Sequence, residues 1–427
     1  MPAPRAADAA PLPQRAVPGA TRATETAPMD WPLTPDDAAF RDDVRRFLDA
    51  ELTPALREAG RRCAGIFAEY DAGVPWHRIL ARKGWSVPTW PVEHGGTGWT
   101  PMQHFLFESE LAAADAPPLA PMGIRMVGPV IIAFGTAEQK ARWLPGIRSG
   151  DDYWAQGYSE PGAGSDLASL ACRAVRDGDD WVIDGSKIWT THAHRADRMF
   201  CLVRTDPGAK LQRGISFLCF DMDTPGITVR PILSISGDHE FNQVFFDGAR
   251  VPASSLVGNE NEGWTVAKYL LEHERGGASS PALRARLKRV RRMAGRAFEH
   301  LPLDAPDATD ARLAYADAEC RLDALQALEF EALDAQRRGE PPGVRPSIAK
   351  ILATELRQRL TELAIEVAGR ASLARVPMHE CAAHELGLSE DPVWGMTSYL
   401  NDRAASIYAG TNEVQRNIIA ARLLAGR

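Results

Sequence analysis

The sequence predicts an α+β protein in which a helical N-terminal domain, a middle domain of antiparallel β-strands and a C-terminal helical bundle follow one another. Apolar residues recur at helical spacing up to about residue 150 and again after Gly263. Between these regions lie short runs rich in Val, Ile, Phe and Trp. Because strands and helices occupy separate runs instead of alternating, an α+β arrangement is favoured. The expected ranges are 1–30 for a disordered tail and 31–152, 153–255 and 256–427 for the three domains.

The helical regions carry clear local signals. Thr34 can cap free backbone N–H groups, Pro35 suits the first helical position, and Asp37 completes a capping box. Near the C-terminus, long helices are expected around 310–337 and 346–369, with a weaker break at residues 339–347. The first helix is therefore expected to begin directly after Thr34.

The β region begins near Tyr153. Its strand candidates are the apolar runs 181–189, 199–205 and 215–222. The dipeptides Asp177-Gly178 and Asp184-Gly185 are typical of turns between such runs. The pattern therefore predicts hairpins of antiparallel strands, with a turn at each of these two dipeptides.

Composition limits the class of protein. The 427 residues include 45% hydrophobic and 25% charged residues, with a net charge of −7, as in ordinary soluble globular proteins rather than nucleic-acid binders. No apolar run approaches the roughly 20 residues that span a bilayer. The six cysteines are scattered without a C-x-x-C pair, which favours a reducing compartment over a zinc site or a disulfide framework. His192 and His194 lie close together, but two histidines do not define a metal site, and none is predicted.

Residues 1–30 combine Ala, Pro and Arg without apolar periodicity, so they cannot bury enough surface to order themselves. A disordered tail is one interpretation. The other is an organelle transit peptide, since such peptides are also rich in arginine. The prolines oppose an amphipathic helix, which favours the tail and a cytoplasmic protein over one of an organelle matrix.

The most informative stretch opens the β region and runs from Gln156 to Asp166, QGYSEPGAGSD. Gly162 and Gly164 would let the backbone approach a planar ligand, and Ser159 and Ser165 supply small hydroxyl groups. Taken alone, the stretch is equally typical of a tight loop. A Rossmann G-x-G-x-x-G after a strand, a P-loop and a G-x-S-x-G elbow do not occur in the sequence.

This stretch resembles the flavin loop of the acyl-CoA dehydrogenase family. Two further segments resemble the same family, Lys187 to Ala193 (KIWTTHA) and Ile407 to Leu424 (IYAGTNEVQRNIIAARLL), and the three occur in the family's order. The resemblance covers nearly the whole chain from about residue 31. It implies a barrel-like middle domain between two helical domains, FAD as cofactor and an acyl-CoA substrate.

The resemblance also implies roles for individual residues. Trp189 would pack on the isoalloxazine ring, and Thr191 would form a hydrogen bond near its reactive nitrogen. The other residues expected to bind FAD or the start of the acyl-CoA are Gln156, Tyr158, Ser159, Gly164, Ser165, Thr190, Gly369, Thr411 and Glu413.

The catalytic base is where the sequence departs from many family members. Their glutamate follows the tyrosine of the C-terminal motif, but here that position is Ala409. Other members carry the base directly before an arginine on the helix that opens the C-terminal domain, and Glu274 occupies that position here. We predict Glu274 as the base, the alternative being a surface pair with Arg275. Ala409 would still bind the thioester oxygen through its backbone N–H.

Further residues are implied along the acyl-CoA path: Ser165, Glu272, Arg275, Tyr408 and Gly410. A second departure is that the R-x-x-F-G segment, which reaches a neighbouring subunit's FAD in many members, is missing after Arg275. Arg312 is one possible substitute. The basic run at residues 284–292 is expected to form a solvated helix face, the alternative being contact with phosphates.

The implied reaction is α,β-dehydrogenation of an acyl-CoA to 2-enoyl-CoA: Glu274 removes the α-proton, and the β-hydride passes to FAD. Fatty acids and steroid side chains are the expected acyl groups, and an electron-transfer flavoprotein is the expected electron acceptor. A homodimer or homotetramer is expected, a mixed oligomer being the alternative. Two other functions stay open, a flavin oxidase or monooxygenase on the same fold and a non-catalytic subunit of a mixed oligomer.

Overall fold

The computed structural model describes residues 33–274, 278–297, 306–376 and 390–425, with the side chains at 272–274, 296–297, 371 and 390–394 left out. The expected tail at 1–30 lies outside these ranges. The described chain runs through helices, then strands, then helices again. The predicted α+β class and the order of its three parts are thereby confirmed.

The N-terminal region consists of helices packed around buried aromatic residues. Thr34 Oγ1 accepts a hydrogen bond from the backbone N–H of Asp37 at 3.1 Å, and the Asp37 carboxylate accepts one from the backbone N–H of Thr34 at 3.3 Å, which confirms the predicted capping box. Trp76 and Val44 are completely buried between three of these helices, Pro35–Glu51, Tyr70–Lys83 and Pro101–Ala113. The helices are α1 Pro35–Glu51, α2 Pro54–Arg62, α3 Tyr70–Lys83, α4 Pro101–Ala113, a π-helix Met122–Val127, α5 Gly128–Phe134 and α6 Ala137–Ser149.

The middle region is one curled sheet of seven strands. They are β1 Trp154–Gly157, β2 Arg173–Asp177, β3 Asp180–Lys187, β4 Arg198–Arg204, β5 Ile215–Asp221, β6 Ile227–Ile232 and β7 Phe241–Pro252. Their order is β1-β4-β2-β3-β7-β6, and β5 pairs with β4. Most pairs are antiparallel as predicted, but β1 runs parallel to β4, so the sheet is mixed.

One of the two predicted turns is wrong. Asp177-Gly178 does join β2 to β3, and Gly178 has a φ of 62°. Asp184-Gly185 instead lies inside β3, where the register shifts because two steps from Ile183 to Gly185 face three steps from Ala249 to Phe246 in β7. A Cβ on Gly185 would lie 2.9 Å from the Cα of Cys172, so the neighbouring backbone requires glycine here.

The C-terminal region is again helical, with α10 at its centre packed against α8, α9, α11 and α12. The two predicted long helices are confirmed with slightly shifted ends. The elements are α7 Gly263–Glu274, α8 Ser280–Ala297, α9 Pro306–Arg337, α10 Arg345–Ala368, α11 Glu390–Asp402 and α12 Asn412–Ala425. Within the described ranges, no helix has both the length and the apolarity needed to cross a membrane.

Candidate active site

The loop after β1 carries the first of the three motifs. A tight turn closes it, because Glu160 and Ala163 exchange backbone hydrogen bonds of 2.9 and 3.0 Å. Neither Gly162 nor Gly164 has a positive φ, and a Cβ at either position would meet no atom of the described residues within 4 Å. The packing of the described residues therefore does not require these glycines and leaves open space beside them.

The loop after β3 carries the second motif and presents an exposed aromatic ring. Trp189 is 58% exposed and has a φ of 58°, a left-handed conformation that is rare for a bulky residue. Its ring touches Phe241 edge-on at 6.0 Å. Thr190 is completely buried, while Thr191 is half-buried. An exposed indole held in a strained backbone is typical of a binding site, where such strain concentrates.

These two loops are tied together by a buried ion pair. Lys187 Nζ lies 2.7 Å from Glu160 Oε1 and donates to the Tyr158 carbonyl at 3.2 Å. The Lys187 side chain is 0% exposed. The backbone N–H of Ile188 also donates to the Ser159 carbonyl at 2.8 Å. The first loop therefore cannot shift without the second.

Sequence reasoning missed Lys187 and Glu160 as site residues. A signal was present, because Trp181, Ile183 and Lys187 alternate along β3 on its buried face. A lysine on such a face needs a partner, since an unpaired buried charge is strongly unfavourable.

The third motif follows α11. Ala409 and Gly410 have consecutive left-handed φ values of 54° and 78°. Within the part of the chain that the structure describes, the N–H groups of these two residues form no hydrogen bond. Thr411 Oγ1 accepts from the N–H of Val414 at 3.1 Å and so caps α12. The backbone N–H that the sequence assigns to substrate binding is thus available at Ala409.

Other predicted residues lie at varied depths around these loops. Tyr158 is buried, with its ring edge-on to Phe200 at 5.8 Å, so its side chain points into the core and only its backbone could meet a flavin. Ser165 and Glu413 are exposed, and Gln156, Ser159, Tyr408 and Gly410 are half-buried. Gly369 follows α10 with a φ of 55°. A hydrogen bond from its own backbone and one from Thr411 lower the pKa of Glu413.

The middle and C-terminal regions of the fold meet at Glu240, just before β7. Its carbonyl accepts from the N–H of His192 at 2.8 Å, and its carboxylate accepts from Asn401 Nδ2 at 3.0 Å. Burial raises the pKa of Glu240 to about 7. The Trp189 loop is thereby linked to the segment that leads to Ala409.

A buried cluster of ions continues this junction. Arg286 Nη1 and Arg357 Nε each lie 2.5 Å from one oxygen of Asp402. Arg286 also donates to the carbonyls of Ala64 and Gly65, at 3.1 and 2.9 Å. The prediction of a solvated basic face on α8 is therefore wrong for Arg286, whose side chain is 12% exposed and serves a structural ion pair.

The predicted base lies at the end of α7. The backbone of α7 reaches Glu274, and Val266, Ala267 and Leu270 anchor the helix in the core. The side chains of Glu272 and Glu274, and the whole of Arg275, lie outside the described residues. The assignment of the base therefore stays a prediction.

Comparison with known proteins identifies the family. Three domain models of acyl-CoA dehydrogenases match the chain in order: the N-terminal domain over residues 34–151, the middle domain over 155–249 and the C-terminal domain over 261–424. The chain belongs to the acyl-CoA dehydrogenase family. It is an oxidoreductase that dehydrogenates acyl-CoA thioesters.

Two relatives show which acyl-CoA dehydrogenases it is similar to. Acyl-CoA dehydrogenase IpdE1 of Mycobacterium tuberculosis is 39% identical over 91% of this chain and 97% of its own length. The mitochondrial short-chain specific acyl-CoA dehydrogenase of Bos taurus is 28% identical over 90% of this chain and 89% of its own length.

Two solved structures have the same fold. The ChsE4-ChsE5 complex of Mycobacterium tuberculosis matches with a TM-score of 0.78 and 32% identity, covering 93% of this chain and 99% of the matched chain. The Tcur3481-Tcur3483 steroid acyl-CoA dehydrogenase matches with a TM-score of 0.79 and 31% identity, again covering 93% and 99%.

Proposed function

We propose that this acyl-CoA dehydrogenase binds FAD against the Trp189 loop and converts an acyl-CoA to its 2-enoyl-CoA, with Glu274 as the base. The observation that carries the proposal is the exposed, left-handed Trp189, whose loop is joined by the Ile188–Ser159 hydrogen bond to the loop that carries Gly162 and Gly164. A flavin ring would bury this indole and use the space beside the two glycines that no described residue fills.

The residues present fit a flavin. Trp189 would cover one face of the ring, and Thr191 would present its hydroxyl and N–H to the ring edge. Bound FAD would supply the acceptor for the β-hydride. The remaining FAD contacts are proposed for Gln156, Ser159, Gly164, Ser165, Thr190, Gly369, Thr411 and Glu413, and for the backbone of Tyr158.

Ala409 is proposed to bind the thioester oxygen. Its N–H and that of Gly410 both lie in left-handed backbone and donate to no acceptor among the described residues. Two such donors stabilise the negative charge that develops on the thioester oxygen when the α-proton leaves. Because the donors are backbone groups, the alanine side chain does not prevent this role.

Glu274 is proposed to take the α-proton. The carboxylate would act from the end of α7, with Arg275 beside it to fix its orientation. Glu272, Arg275, Tyr408, Gly410 and Ser165 are proposed to line the path of the acyl-CoA. A carboxylate removes such a proton efficiently when desolvation brings its pKa toward the working pH.

The substrate is proposed to be a steroid-derived or other fatty acyl-CoA. The matched Tcur3481-Tcur3483 protein is named a steroid acyl-CoA dehydrogenase and shares 31% identity over 93% of this chain. The ChsE4-ChsE5 match is a complex of two named chains, which supports a mixed oligomer beside a homodimer or homotetramer. An electron-transfer flavoprotein is the proposed electron acceptor, and the cytoplasm the proposed compartment.

The proposal is tested by mixing the purified, FAD-loaded protein with a panel of straight-chain, branched and steroid-derived acyl-CoAs without oxygen. Loss of the oxidised flavin absorbance identifies the substrate. The Glu274→Gln variant is expected to retain FAD and keep its absorbance, while Glu260→Gln, an exposed carboxylate before α7, behaves as the wild type. Full activity of Glu274→Gln would overturn the assignment of the base.

Two alternatives are distinguished by the same material. Rapid formation of peroxide in air after reduction would indicate an oxidase or monooxygenase. A chain that fails to bleach with every acyl-CoA until a partner chain is added would indicate a non-catalytic subunit of a mixed oligomer, which the missing carboxylate at Ala409 motivates.

A further inference from the structure

Behind the Trp189 loop lies an asparagine that forms hydrogen bonds with both the N–H and the carbonyl of Thr190. Asn242, on β7, is 0% exposed. Its carbonyl accepts from the N–H of Thr190 at 2.9 Å, and its side-chain Nδ2 donates to the carbonyl of Thr190 at 3.0 Å. Thr190 stands between Trp189 and Thr191, so this contact fixes the backbone of both neighbours.

Two histidines fix the amide of Asn242 in turn. His239 Nε2 lies 2.7 Å from Asn242 Oδ1, and His194 Nδ1 lies 3.1 Å from Asn242 Nδ2. The two imidazole rings stack on each other, with centroids 3.9 Å apart and planes at 20°. A backbone carbonyl, a side-chain amide and two rings thus form one continuous network.

The carbonyl of Thr190 determines the protonation states in this network. Because that carbonyl can only accept, the Asn242 atom facing it must be the NH₂ group. His194 Nδ1 also faces the NH₂ group and must therefore be an unprotonated acceptor. His239 Nε2 faces the oxygen and must carry a proton. His194 is consequently neutral whenever the network is intact.

We propose that Asn242, His194 and His239 are positioning residues that hold Thr190, and through it Trp189 and Thr191, in the conformation that receives the flavin. The proposal rests on the proposed function of this loop. None of the three needs to touch the flavin, since each acts through the backbone of Thr190.

Acid is expected to open the network at His194. A proton on Nδ1 would place an N–H against the NH₂ of Asn242, and the two donors would repel each other. Removal of the ring from water, and then the neighbouring His239 and Arg195, lower the pKa of His194 to about 4. The other groups facing this end of the loop are His192, bonded to the Tyr153 hydroxyl at 2.7 Å, and Asp71, which lies 3.9 Å from Arg195.

The direction of the pH effect follows from this lowered pKa. The folded state favours neutral His194, so the network's contribution is complete above the ordinary histidine value of 6.5 and is lost as the pH falls toward about 4.

Hydrogen exchange of the apoprotein tests the network without the cofactor. The amides of Thr190 and His192, which donate to the carbonyls of Asn242 and Glu240, are followed at pH 7 in wild type, Asn242→Ala, His194→Leu and His194→Gln, with His104→Leu as a control histidine whose pKa burial also lowers. Loss of one hydrogen bond should speed exchange of these amides about tenfold in Asn242→Ala and His194→Leu. His194→Gln keeps an acceptor toward Asn242 and should restore protection, and the control should leave it unchanged.

FAD binding to the same apoproteins completes the test. The dissociation constant of FAD is expected to rise about tenfold in Asn242→Ala and His194→Leu, because each variant loses a hydrogen bond of the network. In His194→Gln it is expected to equal the wild-type value. Between pH 6.5 and 4, wild type should lose protection beyond the intrinsic exchange rate, while His194→Gln should not. Wild-type protection in both disrupting variants, or loosened loops with unchanged FAD affinity, would overturn the positioning role. Failure of wild type itself to bind FAD would overturn the proposed function, and the exchange data would still decide whether the network holds the loop.

Discussion

The buried pair of Lys187 and Glu160 allows a sharp prediction about stability. Nζ and Oε1 are 2.7 Å apart, with the side chains 0% and 9% exposed. Removing one partner of a buried ion pair costs about 3–5 kcal/mol, because the other charge stays buried without compensation. Each partner keeps different hydrogen bonds when the other is removed, so the two single variants should lose different amounts of stability.

The remaining contacts decide which variant loses more. In Lys187→Met, Glu160 keeps the backbone N–H groups of Ala171 and Cys172, at 2.7 and 2.9 Å. The free energy of unfolding of Lys187→Met should therefore fall by about 3 kcal/mol, the lower end of the range for buried pairs. In Glu160→Ala, the ammonium keeps only the carbonyl of Tyr158, at 3.2 Å, among the described residues. Its loss should approach about 5 kcal/mol.

Urea unfolding of the apoproteins, followed by far-UV circular dichroism, measures these losses. The matched control is Arg173→Met, which removes an exposed pair with Asp184 whose side chains are 65% and 34% exposed. Such surface pairs contribute at most about 1 kcal/mol. Equal losses in Lys187→Met and Arg173→Met, or a larger loss in Lys187→Met than in Glu160→Ala, would refute the reasoning.

Two further predictions concern Trp189 and Glu240. Trp189→Gly is expected to relieve about 1–2 kcal/mol of strain in the left-handed backbone. The greater conformational entropy of glycine in the unfolded chain should cost about 0.5–1 kcal/mol. The free energy of unfolding of the apoprotein should therefore not fall, while FAD binding weakens; buried Trp181→Ala, the contrast, should lose about 3–5 kcal/mol. Glu240, with its pKa raised from 4.5 to about 7, favours the protonated form in the fold, so its contribution is present at acid pH and is lost as the pH rises between these values. Glu240→Gln should match wild type near pH 4.5 and exceed its stability by about 3 kcal/mol above pH 7, and identical unfolding midpoints at both pH values would contradict this assignment.

Local signals predicted much of the fold because the forces behind them act over a few residues. The bonds between Thr34 and Asp37 span three positions, so the start of α1 is written in its own sequence. The Asp184-Gly185 dipeptide shows the limit of such signals. A glycine at positive φ occurs both in turns and at irregular positions inside strands, and the choice between them depends here on the pairing with β7 and the approach of Cys172, which are remote in sequence.

The candidate site likewise combines local motifs with contacts between residues that are distant in sequence. Its three loops are contiguous motifs, and the sequence therefore located them. Their support is assembled from distant residues: Asn242 and His194 are 48 positions apart, and Glu240 and Asn401 are 161 positions apart. No spacing rule connects such residues, and the sequence consequently indicated neither the histidine network nor the junction at Glu240.

The contrast between local motifs and their distant support changes the interpretation of Ala409. The sequence presents Ala409 as a lost catalytic side chain, yet the structure offers a left-handed backbone with an N–H free of any bond to the described chain. In the proposed site, the backbone donors of Ala409 and Gly410 and the exposed ring of Trp189 face the ligand, while the buried side chains of Lys187 and Asn242 stand behind the loops and hold them. A side chain that only borders the ligand can then be replaced without loss, provided its backbone keeps its conformation. Lys187 and Asn242 touch no proposed ligand, but they fix that backbone, and the site should tolerate change at these positions less than at Ala409.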